Sequence, residues 1–141
     1  MDLQRTSTCE QCIIGDQPLI LSVDSQEDSR FLCNFVLSQL GCSYITAADG
    51  RSAFELSRLY QPALILTEIV LPDLSGFELV SLLKKNPYTA SIPTIAVTAT
   101  ELMGGWRELL EAGFDGYLSK PYQLEALEAL IQHFLPVLVT A

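Results

Sequence analysis

Short apolar runs alternate along the chain with longer segments in which apolar residues recur at helical spacing. Leu19-Ile20-Leu21-Ser22-Val23, Ala63-Leu64-Ile65-Leu66 and Thr94-Ile95-Ala96-Val97 are apolar at nearly every position, as strands covered on both faces are. Ser43-Tyr44-Ile45-Thr46-Ala47 reads as a strand nearer an edge, and Gly116-Tyr117-Leu118-Ser119 as a fifth. Helices are predicted between them over 26–40, 51–60, 75–85, 102–112 and 123–134. Phe31, Leu32, Phe35, Val36 and Leu40 supply the expected inward stripe of the first, Phe54, Leu56 and Leu59 that of the second, and Leu79, Leu82 and Leu83 that of the third. Ser75 followed by Glu78 is a capping box, while Gly41, Pro62, Gly113 and Pro136 mark helix ends.

Strands alternating with helices predict an α/β domain, a parallel sheet covered on both sides. Five such units in one small domain suit the flavodoxin-like, doubly wound arrangement with strand order 2-1-3-4-5 and five helices. Residues 1–17 are expected to form a loosely ordered leader, 18–135 the domain and 136–141 an apolar tail. That tail either folds back or enters a homodimer contact. A flavin phosphate would need a hydroxyl- and glycine-rich loop after the first strand, but Asp24-Ser25-Gln26-Glu27-Asp28 is acidic and repels it.

Composition narrows the function classes. At 141 residues and 49% apolar content the chain can bury one core without metals or disulfides. No apolar run reaches the ~20 residues of a membrane helix, and no secretory signal opens the chain, so a cytoplasmic location is expected. A net charge of −9, with only Lys84 and Lys85 adjacent among the basic residues, argues against nucleic acid. Cys9 and Cys12 form a C-x-x-C without the second pair or histidine a zinc site needs. Cys33 and Cys42 read as core residues.

Ligands of open α/β sheets sit beyond the carboxyl ends of the strands. Asp24, Glu68, Thr98 and Lys120 occupy those ends, so two carboxylates, a hydroxyl and an ammonium converge on one crevice, with Pro121 following the lysine. Polar strand ends are common, but this mixture from four separate strands points to a site. No Ser-His-Asp or Cys-His set accompanies it, and His133, the one histidine, lies on the last helix. An enzyme is therefore not expected.

Ile20-Leu21-Ser22-Val23-Asp24-Ser25, Arg30, Leu64-Ile65-Leu66-Thr67-Glu68 with Leu71-Pro72-Asp73-Leu74-Ser75-Gly76, Val97-Thr98-Ala99 and Leu110 through Pro121 follow one another in register. From Pro18 to Leu135 the chain resembles the response-regulator receiver domain of two-component phosphorelay signalling. The resemblance implies a phosphoacceptor at Glu68, an acidic pocket at Asp24 and Ser25, phosphoryl-binding Thr98 and Lys120, a switch aromatic at Tyr117 and a cis peptide before Pro121. It also implies a protein partner, a sensor histidine kinase or an output protein, that reads the helix 4–strand 5–helix 5 face around Trp106 and Tyr117.

Two positions depart from the family pattern. Glutamate at 68 moves the carboxylate on the order of 1 Å, enough to cost a positioned reaction ~100-fold. Ser25 offers Mg²⁺ a neutral hydroxyl where a carboxylate is preferred. The expected function is a stand-alone, phosphorylation-independent pseudo-receiver that binds Mg²⁺ weakly or not at all and acts by protein contact. A still-phosphorylated regulator is one alternative. Small-ligand binding or enzymatic use of the acidic crevice is another.

Overall fold

The computed structural model describes residues 13–14, 17–99 and 104–135. Five parallel strands, β1 (Gln17–Val23), β2 (Ser43–Ala47), β3 (Leu64–Thr67), β4 (Thr94–Thr98) and β5 (Gly116–Ser119), lie in the order β2-β1-β3-β4-β5. Five helices connect or follow them: α1 (Glu27–Gln39), α2 (Gly50–Tyr60), α3 (Gly76–Lys85), α4 (Gly105–Ala112) and α5 (Leu124–Phe134). The flavodoxin-like order 2-1-3-4-5 expected from the pattern is the one found.

Alternation along the strands divides the core. Ile20, Leu64, Leu66 and Ile95 face α1 and α5, where they meet Cys33, Val36, Leu37, Leu127, Ile131 and Leu135. The intervening Leu21, Val23 and Ile65 meet Ala53 of α2 and Leu79 and Leu83 of α3. Ala96 meets Val80, Leu109 of α4 and Phe114. Period-two side-chain direction thus assigns each helix to its layer.

The inward stripe predicted for α1 is corrected. Phe31, Leu32 and Phe35 are 74%, 44% and 51% exposed, whereas Cys33, Val36 and Leu37 are buried. Phe31 and Phe35 each lie two residues from Cys33, roughly 200° around a helix of 3.6 residues per turn, and so fall on the opposite side. Size misled the periodicity reading, because the smaller Cys33 is the residue that fits the sheet. Leu59 and Leu82, also expected inside, are exposed for the same rotational reason.

Chain ends differ from expectation too. β1 begins at Gln17, and a two-residue strand, Ile13–Ile14, pairs antiparallel with Gln17 and Pro18. Part of the segment expected as leader therefore joins the sheet, and Pro18 is tolerated there at a strand start. Cys9, Cys12, Leu102 and the tail 136–141 lie outside the described residues.

The capping box is present as read: Glu78 N donates to Ser75 Oγ at 3.1 Å and Ser75 N to Glu78 Oε1 at 2.8 Å. Ser75→Ala is expected to lower stability by about 1 kcal/mol, measured as a shifted urea midpoint at unchanged slope. The preceding loop is tied to a second helix. Asp73 accepts from the backbone N–H groups of Gly50, Arg51 and Leu74, each at 2.8 Å. These bonds, the one from Gly50 foremost, hold the Asp73 carboxyl below its ordinary range.

Candidate functional site

Asp24 immediately follows β1, Glu68 follows β3, Thr98 ends β4 and Lys120 follows β5. β1 and β3 end level, Val23 opposite Thr67, and β4 and β5 end level two residues further on, Thr67 lying opposite Ala96 and Thr98 opposite Ser119. The four side chains therefore share one end of the sheet. The Lys120–Pro121 peptide is cis, as expected. Gly76 lets α3 start against the loop after β3, since a Cβ there would lie 2.7 Å from the Glu68 carbonyl oxygen.

Lys120 is the centre of the site. Its ammonium donates to Asp24 Oδ2 at 2.5 Å, Glu68 Oε1 at 2.9 Å and Ser29 Oγ at 3.4 Å. An ammonium has three N–H donors, and three acceptors surround this one. The second Glu68 oxygen turns back on its own loop and accepts from Ile69 N at 2.7 Å. Thr98 is fully buried at the end of β4, and its side chain helps to hold the same carboxylate in its charged form. Asp24 is held in turn, its Oδ1 accepting from Gln26 N at 2.9 Å and its carbonyl from Arg30 Nη1 at 2.7 Å.

Burial opposes ionisation of Glu68, yet the hydrogen bonds from Thr98, Lys120 and Ile69 outweigh it and hold the carboxyl below its ordinary value. Burial likewise opposes the charge on Lys120, and its bonds to Asp24 and Glu68 outweigh that penalty and raise it. A depressed glutamate stabilises the fold above its unfolded-state pKa. That contribution is lost as pH falls through the lower folded-state value. The urea midpoint is therefore expected to fall on acidification more steeply in the native chain than in Glu68→Gln. Parallel pH profiles would show that Glu68 carries no such linkage.

Of the residues singled out in the sequence, Asp24, Glu68, Thr98 and Lys120 come together. Ser25 is exposed and outside the network. Tyr117 is 39% exposed and stacks on Trp106, itself 42% exposed, with ring centroids 6.3 Å apart and an interplanar angle of 27°. His133 packs edge-on against Phe134 on the last turn of α5. Ser29 was missed, because a lone serine in a first helical turn carries no distinguishing pattern. Cys33 and Tyr122 were missed as site residues as well. With Ser22, Asp24, Ser29 and Lys120 they line a small cavity of about 20 Å³ behind the ion pairs. Burial raises both the Cys33 thiol and the Tyr122 hydroxyl. A space of that size suits a single water and falls well below the several hundred Å³ of an organic-ligand pocket.

Residues 20–132 match the model of the response regulator receiver domain. The polar-differentiation response regulator DivK of Brucella anthropi is 31% identical over 116 residues, covering 82% of this chain and 94% of the relative. Among solved structures, the chemotaxis response regulator CheY4 of Vibrio cholerae superposes with a TM-score of 0.78 at 25% identity, covering 84% of this chain and 98% of that one. The receiver domain of the sensor histidine kinase PA1611 from Pseudomonas aeruginosa, solved with a magnesium ion coordinated in its active-site cleft, gives 0.79 at 27% identity, covering 85% and 98%.

Proposed function

Since the chain belongs to the response regulator receiver domain family, we propose that it works in two-component signalling without being phosphorylated, through protein contacts on the α4–β5–α5 face. The observation that carries this reading is the engagement of Lys120. All three ammonium donors are taken up by Asp24, Glu68 and Ser29, so none is left to receive a phosphoryl oxygen. Glu68 has its two oxygens committed to Lys120 and to Ile69 N–H, and a nucleophile so bound is poorly placed for in-line attack.

The same geometry fits Mg²⁺ badly. The two carboxylates that would hold it already face an internal cation, and Ser25 contributes only a neutral hydroxyl. Glu68 therefore acts as a fixed element of the crevice, neutralised from within. Trp106, Leu110 and Tyr117 give the outward face an exposed apolar patch, with Leu110 the most open at 55%. Such a patch, aromatic at its centre, is suited to a protein partner. The test is intact-mass measurement after incubation with acetyl phosphate and Mg²⁺. No gain of a phosphoryl group is expected, and a stoichiometric gain overturns the reading.

A further inference from the structure

α1 turns three large apolar residues to solvent, Phe31, Leu32 and Phe35. Side chains of that kind gathered on one outward helix face mark a contact surface. We propose that the segment Pro136-Val137-Leu138-Val139-Thr140-Ala141 is the occupant of this face, folding back along α1 to cover Leu32 and Phe35. The covered face is then closed to other proteins. This inference goes beyond the surface-contact reading above and does not depend on the state of the crevice.

The end of α5 gives the first support. Leu135 is buried in the same core cluster as Cys33, Val36 and Leu37 of α1, with Leu40 packed against it. α1 and α5 each follow a parallel strand and lie on the same side of the sheet, so both run in one direction. Leu135 therefore leaves α5 beside the carboxyl end of α1. It has already departed from helical geometry, with φ −129 and ψ 70, and Pro136 cannot resume the helix. Phe35 lies five residues before Leu40 and Phe31 nine, roughly 7 and 13 Å along the helix axis. Six extended residues span up to ~20 Å, enough to pass both.

Direction around the helix agrees. Ser29 accepts from Lys120, which follows β5, and Val36 joins the cluster that holds Leu127 and Ile131 of α5. These two residues mark the flank of α1 that faces α5. Leu32 lies between Val36 and Phe35 around the helix, about 40° from the first and about 60° from the second. A segment leaving α5 thus meets Leu32 first and Phe35 next. Exposed Leu59 and Leu82 belong to α2 and α3 on the opposite side of the sheet, out of its path.

Charge favours this occupant over a second copy of the chain. α1 carries Glu27 and Asp28 in its first turn and no basic residue in its last. Two such helices packed together would offer those acids no cation, in a chain already at −9. Segment 136–141 has no charged side chain, so it buries apolar surface without desolvating an ion. Its tether also supplies an effective concentration on the order of millimolar.

The experiment compares Nile red emission in four 141-residue chains: native, Leu138→Asp, Phe31→Ser/Phe35→Ser and the three substitutions combined. The native chain is expected to bind little dye, and Leu138→Asp to raise emission several-fold. The combined variant should return to the native level, because the uncovered face no longer carries its rings. Equal emission from native and Leu138→Asp chains overturns the proposal, as does a rise that survives in the combined variant. Sedimentation velocity tests the other occupant: a native dimer that Leu138→Asp dissociates assigns the face to a second copy and overturns the proposal, and a monomer supports it. If Leu138→Asp does not fold, the methyl-labelled native chain decides by NMR. Nuclear Overhauser contacts between the Leu138 methyls and the Phe35 ring are expected, and their absence overturns the proposal.

Discussion

The double variant Ser25→Asp/Glu68→Asp is expected to take up one phosphoryl group from acetyl phosphate in Mg²⁺, where the native chain takes up none. Shortening Glu68 by a methylene removes the reach that lets one carboxylate bind Lys120 Nζ and Ile69 N together. Aspartate at position 25 adds the charged oxygen that Ser25 lacks, and a divalent cation can then compete with Lys120 for the carboxylates of the crevice. The released ammonium becomes available to an incoming phosphoryl oxygen, where charge-assisted hydrogen bonds are strongest. The gain should need both substitutions, because metal and nucleophile act in the same step. Intact-mass spectra of the native chain, both single variants and the double variant, with and without Mg²⁺, measure it. Equal uptake by the native chain would remove the basis for a phosphorylation-independent role, and no uptake by the double variant would mean that something besides these two residues blocks the site.

Lys120→Met should have the largest effect on stability. The Lys120 side chain is 19% exposed, and Asp24 and Glu68 are 9% and 11% exposed. Removing the ammonium leaves two carboxylates facing each other at low exposure with no cation between them. Breaking a buried pair by deleting one partner costs ~3–5 kcal/mol, and residual solvent access brings the expectation here to about 2–4 kcal/mol. The loss should shrink as pH falls, since like-charged neighbours take up a proton more readily than isolated ones. Urea titration of native and Lys120→Met chains at neutral and acidic pH gives both quantities. A loss below about 0.5 kcal/mol at neutral pH would mean that the ion pairs are effectively solvated, as surface pairs are.

The fold was legible because its main signal is redundant. Each central strand shows a nearly continuous apolar run, four of the helices a stop signal and the third a capping box, and the order of types admits few arrangements. What failed was finer than the element. In α1 the bulky Phe31 and Phe35 looked like core, but packing selects shape over size, and Cys33, Val36 and Leu37 are the side chains the sheet accommodates. The four crevice residues could be found because strand ends in a parallel sheet coincide in space. Ser29 could not, since its role depends on a 3.4 Å approach to a lysine 91 positions away. The stack of Trp106 on Tyr117 was equally out of reach, because it depends on where α4 starts, and glycines at 104 and 105 leave that start to tertiary context.

Asp73 links regions that the sequence separates widely. Its carboxylate holds Leu74 N in the loop after β3 and, at the same time, Gly50 N and Arg51 N at the first turn of α2. Leu74 also lies so close to Gly50 that a Cβ there would come within 2.5 Å of its Cδ1. The loop beside the crevice therefore cannot lift away without stripping α2 of hydrogen-bond acceptors at its N-terminus. Loop and helix form a single cooperative unit of local unfolding, and the rim next to Glu68 inherits the rigidity of a helix rather than the looseness of a surface turn.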